Sequence, residues 1–236
     1  MKTKKIFLLL AALSTQLSFA QFAKVVDKDG YVNVRKNADA KSNIIGKINS
    51  EEILYIFSED PDESWLNIDY SHKKEKPLTG YIHRSRVKFI ESYTEVPSTV
   101  KNTDNAVFKS GNRTVSILSG PFDYPGHKKD FSSVTAGNDR LLEKYKGQEI
   151  WGTDGLVPQT YYKSITIQTG NKTIQIPQKD IENLFNVNNE STRCYVDLHN
   201  DTLYIMMNNS EGAGAYAALF IIEKGEYKGR ILAIPF

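Results

Sequence analysis

Cys194 and His199 stand five residues apart, and a thiol with an imidazole is a pair able to do nucleophilic acyl chemistry. The context argues against that use. Cys194 lies inside the strand-like run RCYVDL, whereas an activated thiol needs partly exposed, electropositive surroundings. A buried structural thiol is the expectation. The four histidines, His72, His83, His127 and His199, include no pair at short ligand spacing, so no zinc site is expected. Asp197–Asp201, DLHND, offers the oxygen donors of a calcium loop without its sharp-turn Gly or its closing Glu. The stretch Ser210–Tyr216, SEGAGAY, has a Gly-x-Gly able to form an anion nest. No Lys-Ser/Thr follows it and no strand gives way to a helix there, so a nucleotide loop is not expected. The residues predict no catalytic group, no cofactor and no metal.

The chain around these residues reads as exported. Lys2, Lys4 and Lys5 precede a short apolar stretch, Ile6 to Leu13, and Ser18-Phe19-Ala20 precedes Gln21. That order marks residues 1–20 as a secretory signal peptide with cleavage after Ala20. The apolar stretch is too short to cross a bilayer and no later one is longer, so no membrane span is expected. With no Cys beside the cleavage point there is no site for a lipid anchor. The localisation predicted is periplasmic or secreted. Cleavage takes three of the 30 basic residues and leaves 27 against 28 acidic ones, a balance that gives nucleic acid nothing to bind. The short basic runs at residues 72–76 and 127–129 read as solvated loops. A single Cys cannot staple the fold, so apolar burial must hold it.

The elements that must position any site are mostly strands. AKVVD, YVNVR, NIIGKI, EILYIF, WLNIDY and TGYIHR follow one another between residues 23 and 84, bounded by turn residues at nearly even spacing. Residues 91–104 lack apolar periodicity and contain Pro97, which predicts a linker. Beyond it, residues 105–236 form a second domain. Two short helices are expected there: RLLEKYK, capped by Asn138-Asp139, and PQKDIENLF, with Ile181, Leu184 and Phe185 at helical spacing. YYKSITIQ-TGN-KTIQIP reads as a hairpin. CYVDL, TLYIMMN, YAALFIIE and GRILAIPF, joined by turns, read as an antiparallel meander.

Val32-Asn33-Val34-Arg35, Ile45-Gly46-Lys47-Ile48, Trp65 to Ile68 and Gly80-Tyr81-Ile82 occur in the order of a bacterial SH3 domain. There a Leu-Asn-Val-Arg strand is followed by Ile-Gly-x-Leu, Trp-x-x-Val and Gly-Trp-Val strands. Residues 23–90 resemble that family, with Tyr81 in the place of its usual Trp and Ala38 where it often has Pro. The resemblance implies a small SH3-like β-barrel and a binding module, often one for cell-wall peptide. The fold class predicted is therefore mostly β, the barrel being followed by a β-rich α+β domain with an antiparallel meander. Tyr31, Trp65 and Tyr81 are the candidate ligand contacts. For Trp65, the largest apolar surface of that domain, core packing is the first reading and ligand contact the second.

A second candidate surface is the 210–216 loop. It loosely resembles the Ser-Gly-x-x-Tyr loops of periplasmic lysozyme inhibitors, with Gly212-Ala213 in the Ser-Gly positions. Gly212, Gly214 and Tyr216 would then be exposed to a partner. The leading expectation is a non-catalytic binding protein of the bacterial envelope, its partner a peptidoglycan peptide or an envelope protein. A periplasmic inhibitor or immunity protein is the alternative, and a cell-wall hydrolase the last.

Overall fold

The computed structural model describes residues 19–58, 60, 62–71 and 77–235. The expected signal peptide up to Ser18, His72 and the basic run 72–76 lie outside them. Strands β1 (Phe19–Val25), β2 (Tyr31–Arg35), β3 (Ile44–Asn49), β4 (Ile53–Ser58), β5 (Trp65–Asp69), β6 (Thr79–His83) and β7 (Val87–Phe89) form one antiparallel sheet, ordered β3-β2-β6-β5-β4-β1-β7. The four motif fragments fall on β2, β3, β5 and β6 of this sheet. Alternation fixes its faces. On β2 Val32 and Val34 turn inward while Tyr31, Asn33 and Arg35 turn outward, and on β5 Leu66 and Ile68 turn inward from Trp65, Asn67 and Asp69. Among the described residues the inward set forms a core of this sheet's own strands with Tyr70, against which Leu78 also packs. A flat sheet cannot bury one face against itself, so this one coils. Among the described residues its pairing leaves β3 and β7 as edges and does not close into a barrel. Gly80, at φ +154°, lets β6 cross β2 closely, since a Cβ there would lie 2.6 Å from the Arg35 carbonyl oxygen. β1 begins two residues before the expected cleavage point: Phe19 and Ala20 pair with Ser58 and Phe57, and Gln21 to Lys24 continue the register with Ile56 to Ile53.

The rest of the chain contributes β8 (Thr94–Val96), β9 (Ser98–Lys101), β10 (Asn105–Ser110), β11 (Arg113–Pro121), a four-residue helix α1 (Tyr124–His127), β12 (Phe131–Ala136), β13 (Asp139–Tyr145), β14 (Gln148–Glu149), β15 (Thr160–Thr169), β16 (Lys172–Gln175), β17 (Arg193–Asp197), β18 (Thr202–Asn209), β19 (Tyr216–Glu223) and β20 (Glu226–Ala233). β17 to β20 are the expected meander, extended by β8 at its edge, and β15-β16 is the expected hairpin. The meander faces a second sheet, β16-β15-β11-β10-β9, across a common core. A third, three-stranded sheet, β12-β13-β14, sits at one side. Contacts among Phe122, Phe131, Tyr145 and Phe185, with ring centroids 4.7–5.9 Å apart, hold it on.

Three expectations are corrected. RLLEKYK is not a helix but β13, because each of its residues from Asp139 to Tyr145 except Glu143 takes a partner on β12. Seven residues hold a helix too weakly to resist such pairing. PQKDIENLF makes a 3-10 helix, Gln178–Asp180, and one further turn closed by the Leu184 amide on Ile181 O, and the helix goes no further. Trp151 bonds to Asn183 and Phe185 through the backbone and so consumes the groups a further turn would need. Ile181, Leu184 and Phe185 are nonetheless fully buried, as their spacing predicts.

The third correction is the linker. Residues 94–96 join the meander and 98–101 join the facing sheet, with Pro97 at the switch between them. Two halves joined by a tether would each keep a private core, but here the meander is buried on both faces. On β19, Tyr216, Ala218, Phe220 and Ile222 pack into the sandwich. Ala217 and Leu219 pack the other way, against Phe22, Ile53 and Tyr55 of the N-terminal sheet. At about 1.5–3 kcal/mol for each large side chain buried, this second core outweighs any single polar contact between the halves.

One polar contact lies beside that core. Lys24 is sealed from solvent, its Nζ 3.0 Å from Glu51 Oε2 and 3.2 Å from Asp197 Oδ2. Burial favours the neutral amine, but the Glu51 hydrogen bond, with Tyr204 and Tyr93 adding to it, more than offsets that and raises its pKa. Asp197 is pushed up by burial and pulled down further by Lys24 and Asn200, so its carboxyl is held below the usual range.

Candidate functional site

Along β2, β6 and β5 the outward residues stand in register. Arg35, Tyr81 and Asn67 make one row across the three strands, and His83 pairs with Trp65 in the next. An open cleft of about 400 Å³ lies over this face, lined by Tyr31, Asn33, Arg35, Trp65 and His83, with Asp27, Asp29 and Arg86 at its rim. Trp65 is half-buried and meets His83 edge to face, at 5.3 Å between centroids. The Arg35 guanidinium lies 6.0 Å from the Trp65 ring, and Lys47 Nζ sits 3.8 Å over Tyr31. Both aromatic faces are therefore already disposed towards cations.

The loop after β2 overhangs the cleft at Ala40 and is braced from within. Arg35 donates to the Ser42 carbonyl at 2.6 Å, and the Asn37 amide donates to Ser42 Oγ at 2.9 Å. At the other end Arg86 donates to Asp27 Oδ2 at 2.7 Å, and His83 Nδ1 lies 2.8 Å from Ser85 Oγ. With Asp27 taken by Arg86, Asp29 and Arg35 are the opposite charges facing a ligand. Asn33 Oδ1 is buried beneath the cleft with no hydrogen-bond donor among the described residues. The arrangement suits recognition of a flexible zwitterionic chain: flat aromatic surface, one cation, one anion, and the His83 imidazole as a hydrogen-bonding group.

Of the three residues singled out from the sequence, Tyr31 and Trp65 line this cleft, whereas Tyr81 lies on the same face but outside the lining. Trp65 is not in the core; Leu66, its neighbour, takes that place. Asn33, Arg35 and His83 were missed, although the alternation in Val32-Asn33-Val34-Arg35 and Tyr81-Ile82-His83 already put them outward.

The 210–216 loop keeps Gly212 exposed and Gly214 partly so, but it does not offer Tyr216 to a partner. Tyr216 is 1% exposed, and its hydroxyl donates to the Phe185 carbonyl at 3.1 Å. As the first residue of β19 it follows the strand's alternation into the sandwich core. Gly212–Gly214 forms a 3-10 turn, and Ser210 ties the loop down by donating to Gly152 O at 2.8 Å and, through its amide, to Asn186 O. Cys194 is fully buried and its thiol pKa is pushed well up by that burial, while His199 is exposed in the turn beyond β17. Among the described residues no group of three His, Cys, Asp or Glu side chains could hold a metal ion, and no helix is long and apolar enough to cross a membrane.

Comparison of the chain with family models, with curated proteins and with solved structures found no match.

Proposed function

We propose that this chain is an exported, non-catalytic binding protein of the bacterial cell envelope, and that the outer face of its N-terminal sheet takes a short peptide of the cell-wall type. The observation that carries the reading is the convergence of Tyr31, Trp65, Arg35 and His83 over one open cleft, with Asp29 at its rim. Aromatic stacking supplies affinity there, and the two opposite charges orient a chain that carries both an ammonium and a carboxylate. The signal-peptide pattern in residues 1–20 supplies the compartment in which such a peptide occurs, and the motif order over residues 23–90 favours the same use.

Titration of soluble peptidoglycan fragments into the chain tests this. Trp65→Ala should weaken binding roughly tenfold or more, because the ring supplies the largest stacking surface in the cleft. Tyr81→Ala, on the same face but outside the lining, should change it far less. Absence of saturable binding, or equal loss in both variants, would sink the reading.

A further inference from the structure

A second cavity, of about 340 Å³, lies on the other half of the molecule, away from the peptide cleft. Its floor is one face of the β12-β13 hairpin. Ser133 and Leu142 are directly paired there, and Arg140, paired with Thr135, stands two residues along on the same face. One wall is α1 and the turn after it, through Tyr124 and Lys128. The other is the 155–157 segment, which runs where a further strand would lie: the Leu142 amide donates to Gly155 O at 2.7 Å. The Leu156 amide, bonded to Thr153 O at 2.9 Å, closes the turn that holds the Leu156 and Val157 side chains at the rim. They are 64% and 51% exposed. Although these two bonds hold the segment, the Leu156 and Val157 side chains stay largely in water at the cavity rim, where an apolar ligand body can cover them.

The charge in this cavity has one sign. Lys128 and Arg140 line it together with the Ser133 hydroxyl, and the lining contains no Asp or Glu. Arg140 donates through Nε to Ser133 Oγ, which orients the guanidinium and leaves its outer N–H fork for an acceptor. Cations beside Leu142, Leu156, Val157 and the Phe131 ring are complementary to a small anion with an apolar body, the polar groups fixing orientation and the apolar wall supplying most of the burial. We infer that this cavity binds an amphipathic carboxylate, its head on Arg140 and Lys128 and its aliphatic or aromatic body against Leu142, Leu156 and Val157. The inference does not rest on the peptide-binding reading.

The test is calorimetric titration of the whole chain with decanoate and with phenylacetate, whose bodies are aliphatic and aromatic respectively. Octyl glucoside serves as the neutral amphiphile, decyltrimethylammonium as the cationic one and inorganic phosphate as a head without a body. Saturable binding of either carboxylate, weakened at least roughly tenfold by Arg140→Gln and abolished by Leu156→Asp, is the expected result. Both substitutions are at exposed positions, and circular dichroism confirms that each variant keeps its fold. The comparison of head groups on the unaltered chain stands even if a variant does not. Failure of both carboxylates to bind, equal uptake of octyl glucoside or of the cationic amphiphile, binding of phosphate alone, or carboxylate binding unchanged in Arg140→Gln would each overturn the inference.

Discussion

Asp197→Asn removes one charge from the contact that joins the two halves while keeping an oxygen to accept from the His199 and Asn200 amides. Lys24 is then left sealed from solvent with Glu51 alone, and the Glu51 side chain is 68% exposed. Breaking a buried pair by removing one partner costs about 3–5 kcal/mol. An exposed partner returns at most about 1 kcal/mol. The net loss expected is about 2–4 kcal/mol, read as a lower urea midpoint at an unchanged slope. Lys24→Met combined with Asp197→Asn removes both charges and keeps an apolar stem, and this double variant should fall within about 1 kcal/mol of the parent. The pH dependence gives a second reading. Because the folded-state pKa of Asp197 is lowered, its contribution is present above its unfolded value of about 3.9. It is lost as pH falls through the lowered folded value, so the acid limb of the stability curve should flatten in Asp197→Asn. A loss below about 1 kcal/mol, or two single costs that simply add in the double variant, would refute the claim that the pair is coupled and buried.

The chain has two tryptophans, Trp65 in the N-terminal sheet and Trp151 beside the sandwich. Single-Trp variants should report coincident urea transitions, because the meander's second core joins the halves; separated midpoints would restore the tethered-domain picture. Gly152 has φ +94°, and a Cβ there would lie 2.1 Å from the Phe185 carbonyl oxygen. Gly152→Ala should therefore cost at least about 2–3 kcal/mol in chemical denaturation. Cys194 should react with Ellman's reagent only on unfolding, at a rate that follows denaturant concentration; rapid reaction of the native chain would show the thiol to be accessible.

Several parts of the protein were legible in the amino-acid order alone. Strands β2 to β6 and the meander announced themselves by alternation and by turn residues, since side-chain direction along a strand depends on nothing but the backbone. The same alternation faced Tyr31, Asn33 and Arg35 one way and Trp65 and His83 another strand along, so most of the cleft's residues were written as outward positions. Which of them meet was not. Arg35 reaches the Trp65 ring only because β6 lies between β2 and β5, and its pairing with β2 joins Arg35 to Tyr81, 46 residues away in sequence.

Tertiary structure also decided every element whose local preference was weak. RLLEKYK carries a helical spacing, but a seven-residue helix gains too little on its own to compete with a paired strand. ESYTEVPSTVKNTDN carries few apolar residues, yet Tyr93 and Val96 within it are buried and its strands complete two different sheets. Tyr216 follows a glycine-rich loop whose composition suggests exposure, but the sandwich core buries its ring. In each case the sequence determined a short-range tendency worth about 1 kcal/mol or less per residue, and long-range burial, worth more for each large side chain, determined the outcome.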